Sequence, residues 1–135
     1  MTRTDAREVI MQAVFQMEIQ NNKEKELFDQ FLTSKKVSAE QEGYIRSSFE
    51  IITSHLDEID ELINKYSKNW KTNRMPKVDL AILRVAIGEI LYIEDTPSPV
   101  AINEAVKMAK KYSEEKSRKF INGVLGSVER NLNEK

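Results

Sequence analysis

Between Val78 and Tyr92 the chain is apolar on most of a helical circumference, with Leu80, Ala81, Ile82, Leu83, Val85, Ala86, Ile87, Ile90 and Leu91. A helix of that kind is covered on nearly all sides and belongs at the centre of a domain. The flanking segments repeat apolar residues at spacings of three and four, while strongly alternating stretches are absent, so the expected class is all-α. At 135 residues the chain is long enough for one core and one domain, 1–135.

Six further helices are expected around the central one. The first begins near Asp5, with Glu8 completing a capping box, and turns Ala6, Val9, Ile10, Ala13, Val14 and Met17 inward. A short amphipathic segment follows with Leu27, Phe28, Phe31 and Leu32. Ser38 to Gln41 reads as another capping box, opening a stripe of Ile45, Phe49, Ile52, Leu56, Ile59, Leu62, Ile63 and Tyr66. Ser54 with Asp57 resembles a fresh N-cap, which divides that stripe into two helices. Residues 67–77, punctuated by Asn69, Asn73 and Pro76, read as an irregular connection with Trp70 folded beneath it. The clearest break is Glu94 to Pro99, with Ser98 as N-cap and Pro99 at the first helical position. A helix to Tyr112 and a last one from about Ser117 to Leu132 complete the chain.

Gly88, Gly123 and Gly126 fall inside expected helices, where each costs about 1 kcal/mol relative to alanine. The cost points to places where a neighbour approaches too closely for a methyl group; exposed, neutral glycines are the alternative.

Catalytic chemistry finds little material. With no cysteine there is no thiol nucleophile, disulfide or cysteine-ligated metal, and His55, the single histidine, sits at a helix junction where a surface or capping role fits best. Glu58, Asp60 and Glu61 read as a solvated face. No phosphate-binding loop or dinucleotide motif is present, so the expectation is no enzyme, no cofactor and no metal. The N-terminus lacks the apolar run of a secretory signal and no segment has the length of a membrane span, so a cytoplasmic protein without a membrane partner is expected.

Charge placement is more informative than the net charge of −1. Residues 20–63 carry ten acids against five bases, which repels phosphate, whereas residues 65–77 carry five bases and no acid. Residues 107–119 carry six bases against Glu114 and Glu115. Arg3 and Arg7 form a third basic cluster. If the first helix meets the start of the last, these cations make one salt-sensitive patch for a nucleic-acid backbone, with Phe120 and Asn122 beside it to stack on and hydrogen-bond unpaired bases. On these features alone a helical protein-interaction module without its own RNA site is the favoured reading over nucleic-acid binding, since Lys-rich faces are commonly solubilising and Phe120 also fits the core stripe.

The run Pro99-Val100-Ala101-Ile102-Asn103-Glu104-Ala105-Val106, then Ala109-Lys110, then Ser117-Arg118-Lys119-Phe120-Ile121-Asn122-Gly123-Val124-Leu125 resembles the C-terminal signature of the NusB family. Ile82-Leu83-Arg84-Val85-Ala86-Ile87-Gly88-Glu89-Ile90 and the stretch from Arg7-Glu8 to Phe15-Gln16 resemble its central and opening helices. The resemblance implies about seven helices in two packed bundles, with the acidic stretch and the central helix mainly in the second. It implies a transcription antitermination factor that binds the boxA element of ribosomal RNA leader transcripts jointly with the ribosomal protein NusE, then joins RNA polymerase with the other Nus factors. Carried over by position, the RNA-binding residues are Arg3, Arg7, Lys116, Arg118, Lys119, Phe120 and Asn122, and the contact for NusE is Asp79. Arg84, Glu89, Asn103 and Glu104 match the motifs as an Arg–carboxylate network holding helices together. Lys119→Glu and Arg7→Glu are expected to weaken boxA binding with the fold intact. An apolar helix face leaves two occupants open, a second copy of the chain in a homodimer or NusE. A similar domain occurs fused to RNA cytosine methyltransferases, but 135 residues leave no room beside this domain for the cofactor-binding domain such chemistry requires, so that reading is expected to rank third.

Overall fold

The computed structural model describes residues 1–68, 70–93 and 95–133, so Asn69 and Glu94, read above as punctuation, lie outside the described residues. Seven helices follow one another: α1 (Arg3–Gln20), α2 (Lys25–Lys35), α3 (Ala39–Ser54), α4 (Leu56–Tyr66), α5 (Lys77–Tyr92), α6 (Ser98–Tyr112) and α7 (Glu115–Asn133). The apolar α5 is the hub. It packs on α1, α3, α4, α6 and α7. Leu80 to Glu89 are buried without interruption, as its all-round hydrophobicity requires. Two bundles result, α1–α3 and α4–α7, joined through α5.

The acidic stretch is divided by this arrangement rather than falling in the second bundle. Its α2 and α3 belong to the first, and α4 alone to the second. Asp60, expected to be solvated, is half-buried because Arg84 of α5 reaches it through two hydrogen bonds of 2.9 and 2.7 Å. Arg84 also donates to Glu18 at 2.7 Å, so one guanidinium ties α1, α4 and α5 together.

Helix starts differ in detail from the expected caps. Thr2, not Asp5, caps α1: its hydroxyl accepts from the Asp5 N–H, and the Asp5 carboxylate accepts from the Thr2 N–H, both at 3.0 Å. Hydrogen bonding from Thr2, first from its backbone N–H and then from its side chain, holds the Asp5 carboxyl below its ordinary value. Ser38 starts α3 without a side-chain cap. The division between α3 and α4 falls at His55, while the Ser54 hydroxyl turns back onto the Glu50 carbonyl. His55 holds the Ile51 carbonyl through Nδ1 at 2.8 Å and stacks on Tyr92 at 3.8 Å between ring centroids. Pro97 caps α6, with Ser98 and Pro99 in its first turn.

The glycines separate into two cases. A Cβ at Gly88 would lie 2.6 Å from Ile52 Cγ1, so α5 approaches α3 there too closely for a methyl group. At Gly123 nothing lies within 4 Å of that position, and at Gly126 only the mobile end of Arg130 is near, at 3.3 Å. Close approach explains Gly88 and not the other two.

Candidate nucleic-acid interface

Alanine spacing sets α6 close to the hub. Ala101, Ala105 and Ala109 are buried one turn apart, which leaves Asn103, Lys107 and Lys110 on the outer face. In α7 the buried stripe is Ile121, Val124, Leu125 and Val128, and Lys119 and Asn122 stand outside it. The two helices enclose an open groove of about 1080 Å³, lined by Val100, Ile102, Asn103 and Val106 from α6 and by Arg118, Lys119, Asn122, Gly123, Gly126 and Arg130 from α7. Glu115 and Glu129 also border it. Among the described residues, Lys110, Arg118 and Lys119 form no ion pair, so their charge is directed at solvent.

Phe120 is elsewhere. At 100° per residue it projects about 160° around α7 from Asn122, and its ring meets Trp70 edge-on at 5.1 Å between centroids. Lys116, one turn earlier on that side, lies 5.6 Å from the centre of the Trp70 ring and 3.8 Å from Glu114. Trp70 therefore joins the basic segment 65–77 to the start of α7. Beside it is a cleft of about 610 Å³ lined by Trp70, Pro76, Lys111, Tyr112, Ser113, Glu114, Lys116 and Ser117. Its aromatic and cationic walls suit an unstacked base and its phosphate. Sequence reasoning did not single out Tyr112, because nothing in helical periodicity marks which exposed residues border a cleft.

The chain ends are not joined in one groove. The edge of α6 that carries Glu104, Lys107 and Lys111 meets α1, where Thr4 donates to Glu104 and Lys111 reaches Glu8 at 3.0 Å. Neither Arg3 nor Arg7 lines the α6–α7 groove or the Trp70 cleft, although Lys111, which pairs with Glu8, borders that cleft with Lys116. Arg3 is exposed and lies over the Tyr44 ring, 3.7 Å from its centroid. Arg7 turns inward: it is 6 % exposed, and its Nε donates to Glu89 at 2.8 Å with Glu104 3.9 Å away. The guanidinium does not face solvent as a phosphate contact requires. Asp79 is also interior, fully buried, and its two oxygens accept from the Ser113 and Ser117 hydroxyls, the latter at 2.7 Å. It clips the first turn of α5 to the α6–α7 junction.

The expected Arg–carboxylate network exists with different pairings. Arg84 takes Asp60 and Glu18, Glu89 and Glu104 take Arg7, and Asn103 is exposed in the groove. The space at Gly88 is filled by Ile52 of the same chain.

A surface of another character lies across α1 and α5. Met11, Phe15, Val78 and Tyr112 line a shallow apolar depression, and Ile19, one turn beyond Phe15, is 55 % exposed.

Helices alone among the described residues, in two bundles on a shared central helix, with unpaired cations on one face, define a small all-α binding domain. The family model for the NusB family matches residues 4–130. The chain is 44 % identical over 128 residues to the transcription antitermination protein NusB of Acetivibrio thermocellus, covering 95 % of this chain and 88 % of that one. It is 42 % identical over 136 residues to that of Natranaerobius thermophilus, covering 98 % of both. T. maritima NusB superposes with a TM-score of 0.84 at 32 % identity, over 95 % of this chain and 90 % of that one. A crystal structure of antitermination factors NusB and NusE in complex with dsRNA shares the fold, with a TM-score of 0.87 at 24 % identity over 96 % of both chains. The chain belongs to the NusB family, whose curated relatives are transcription antitermination proteins.

Proposed function

We propose that the chain is an RNA-binding antitermination factor of the cytoplasm, which binds the boxA element of ribosomal RNA leader transcripts together with NusE and joins RNA polymerase with the other Nus factors. One observation carries the RNA part: Arg118 and Lys119 line the α6–α7 groove with Asn122 and form no ion pair among the described residues, while a cleft walled by Trp70, Tyr112 and Lys116 opens on another side of the start of α7. Free cations release counterions when they meet phosphates, and aromatic walls take up unpaired bases. The fold neighbour that holds NusB, NusE and dsRNA supports the same reading.

Of the expected contacts, Arg118, Lys119 and Asn122 follow the backbone along the α6–α7 groove, Lys116 and Phe120 act at the Trp70 cleft, and Arg3 adds a phosphate contact at the edge of α1. Arg7 and Asp79 act from the interior by holding α1 and the α6–α7 junction in place. NusE takes the apolar depression around Phe15, Val78 and Tyr112, which adjoins the RNA cleft through Tyr112. The factor positions its partners and makes or breaks no covalent bond. Among the described residues no helix is long and apolar enough to cross a membrane.

The test is an anisotropy titration of fluorescein-labelled boxA RNA with the purified chain, alone and with NusE. Binding that weakens steeply with salt and tightens with NusE supports the proposal. Partner binding with no RNA binding in either mixture would instead make the chain a protein-interaction module.

A further inference from the structure

Arg3 and Tyr44 form a unit that neither the family match nor the charge pattern assigns. The Arg3 guanidinium carbon lies 3.7 Å from the centre of the Tyr44 ring. The other cation–ring separations among the described residues run from 5.3 to 5.8 Å, so this is the closest of the set. The ring is itself fixed. Its hydroxyl donates to Glu89 Oε1 at 2.9 Å, and Glu89 is a buried residue of α5 whose same oxygen accepts from Arg7 at 2.8 Å. Arg3, near the chain's free end, is thus tied to the most buried helix through one aromatic side chain.

A guanidinium covered on one face keeps its in-plane N–H donors for an anion, and a long side chain already laid on a ring has less freedom to lose when the anion arrives. We propose that Tyr44 is a positioning residue for RNA binding: its ring, anchored through Glu89, holds the Arg3 guanidinium ready for a phosphate. The proposal rests on the reading of Arg3 as an RNA contact. Tyr44 touches no RNA itself.

The experiment measures affinity and salt dependence for the labelled boxA RNA with Arg3→Ala, Tyr44→Leu, Tyr44→Phe and the double variant Arg3→Ala/Tyr44→Leu, with Lys119→Glu alongside and thermal unfolding of each. Arg3→Ala should weaken binding and lower the slope of log K against log salt by about 0.7, the value of one single-strand phosphate. Tyr44→Leu should weaken binding about two- to five-fold with the slope unchanged, because no charge is lost. Tyr44→Phe keeps the ring but loses its bond to Glu89, so its loss should fall between the parent and Tyr44→Leu. The double variant should bind no more weakly than Arg3→Ala alone. Parent-like affinity in Tyr44→Leu with weakened Arg3→Ala would overturn the positioning role, as would a Tyr44→Leu loss of the same size with Arg3 absent. Parent-like affinity in Arg3→Ala would remove the contact that Tyr44 is said to position. Parent-like affinity in Lys119→Glu as well would remove the α6–α7 face as the RNA path, and no RNA binding by the parent, alone or with NusE, would remove the RNA reading itself.

Discussion

Arg7 of α1 and Glu89 of α5, 82 positions apart, meet through a 2.8 Å hydrogen bond in the interior, with side chains 8 % and 2 % exposed. Removing one member of such a pair leaves the other charge buried, and the cost of that is about 3–5 kcal/mol. Arg7→Glu sets a second acid against Glu89, so its effect on RNA reaches the site through the fold, contrary to what the sequence suggested. Urea unfolding of Arg7→Met should show a loss of about 3–5 kcal/mol; a loss under about 1 kcal/mol would contradict the burial of the pair.

Gly88 and Gly123 should respond in opposite directions to alanine. At Gly88 the new methyl meets the root of the Ile52 side chain at 2.6 Å, where overpacking costs about 1–3 kcal/mol. At Gly123 nothing is within 4 Å, and the gain in helix propensity is about 1 kcal/mol. Urea midpoints check both, and a stabilised Gly88→Ala would deny the close approach of α3 and α5.

Burial and the neighbouring Glu89 carboxylate push the Tyr44 phenol from 10.0 up to about 12. A phenol raised in the folded state stabilises the fold fully below pH 10.0, and that contribution is lost as pH rises towards about 12. Stability measured across this window should fall less steeply in Tyr44→Phe than in the parent. Identical slopes would contradict the Tyr44–Glu89 contact.

At the acid end, the hydrogen bond from Arg84 holds the Glu18 carboxyl below its usual 4.5. A depressed carboxyl stabilises the fold above pH 4.5 and loses that contribution as pH falls through its folded value. Glu18→Gln keeps a hydrogen-bond acceptor for Arg84 and removes the titration, so its acid limb should be shallower; an unchanged limb would count against the Arg84 contact.

Much of the fold was legible because burial follows helical period. Ala6, Val9, Ile10, Ala13, Val14 and Met17 are all buried as their spacing predicts, and the all-round apolar α5 is the hub. Pairings between distant helices were not legible. Arg7 has the composition of a surface cation, and only the arrival of α5 and α6 beside it, 82 and 97 residues later, turns it inward. Asp60 reads as solvated until Arg84 reaches it. Within the candidate site, Arg118, Lys119 and Asn122 share one groove, while Phe120 was set beside Asn122 by adjacency in sequence. Two positions along a helix change the face, and that separates them.

The most direct test of the cationic α6–α7 face is the salt dependence of boxA RNA affinity for Arg118→Glu and Lys119→Glu beside the parent, with unfolding curves confirming an intact fold. Each reversal should weaken binding and flatten the slope of log K against log salt by at least about 0.7. Parent-like affinity and slope in both folded variants would contradict an RNA path over this face.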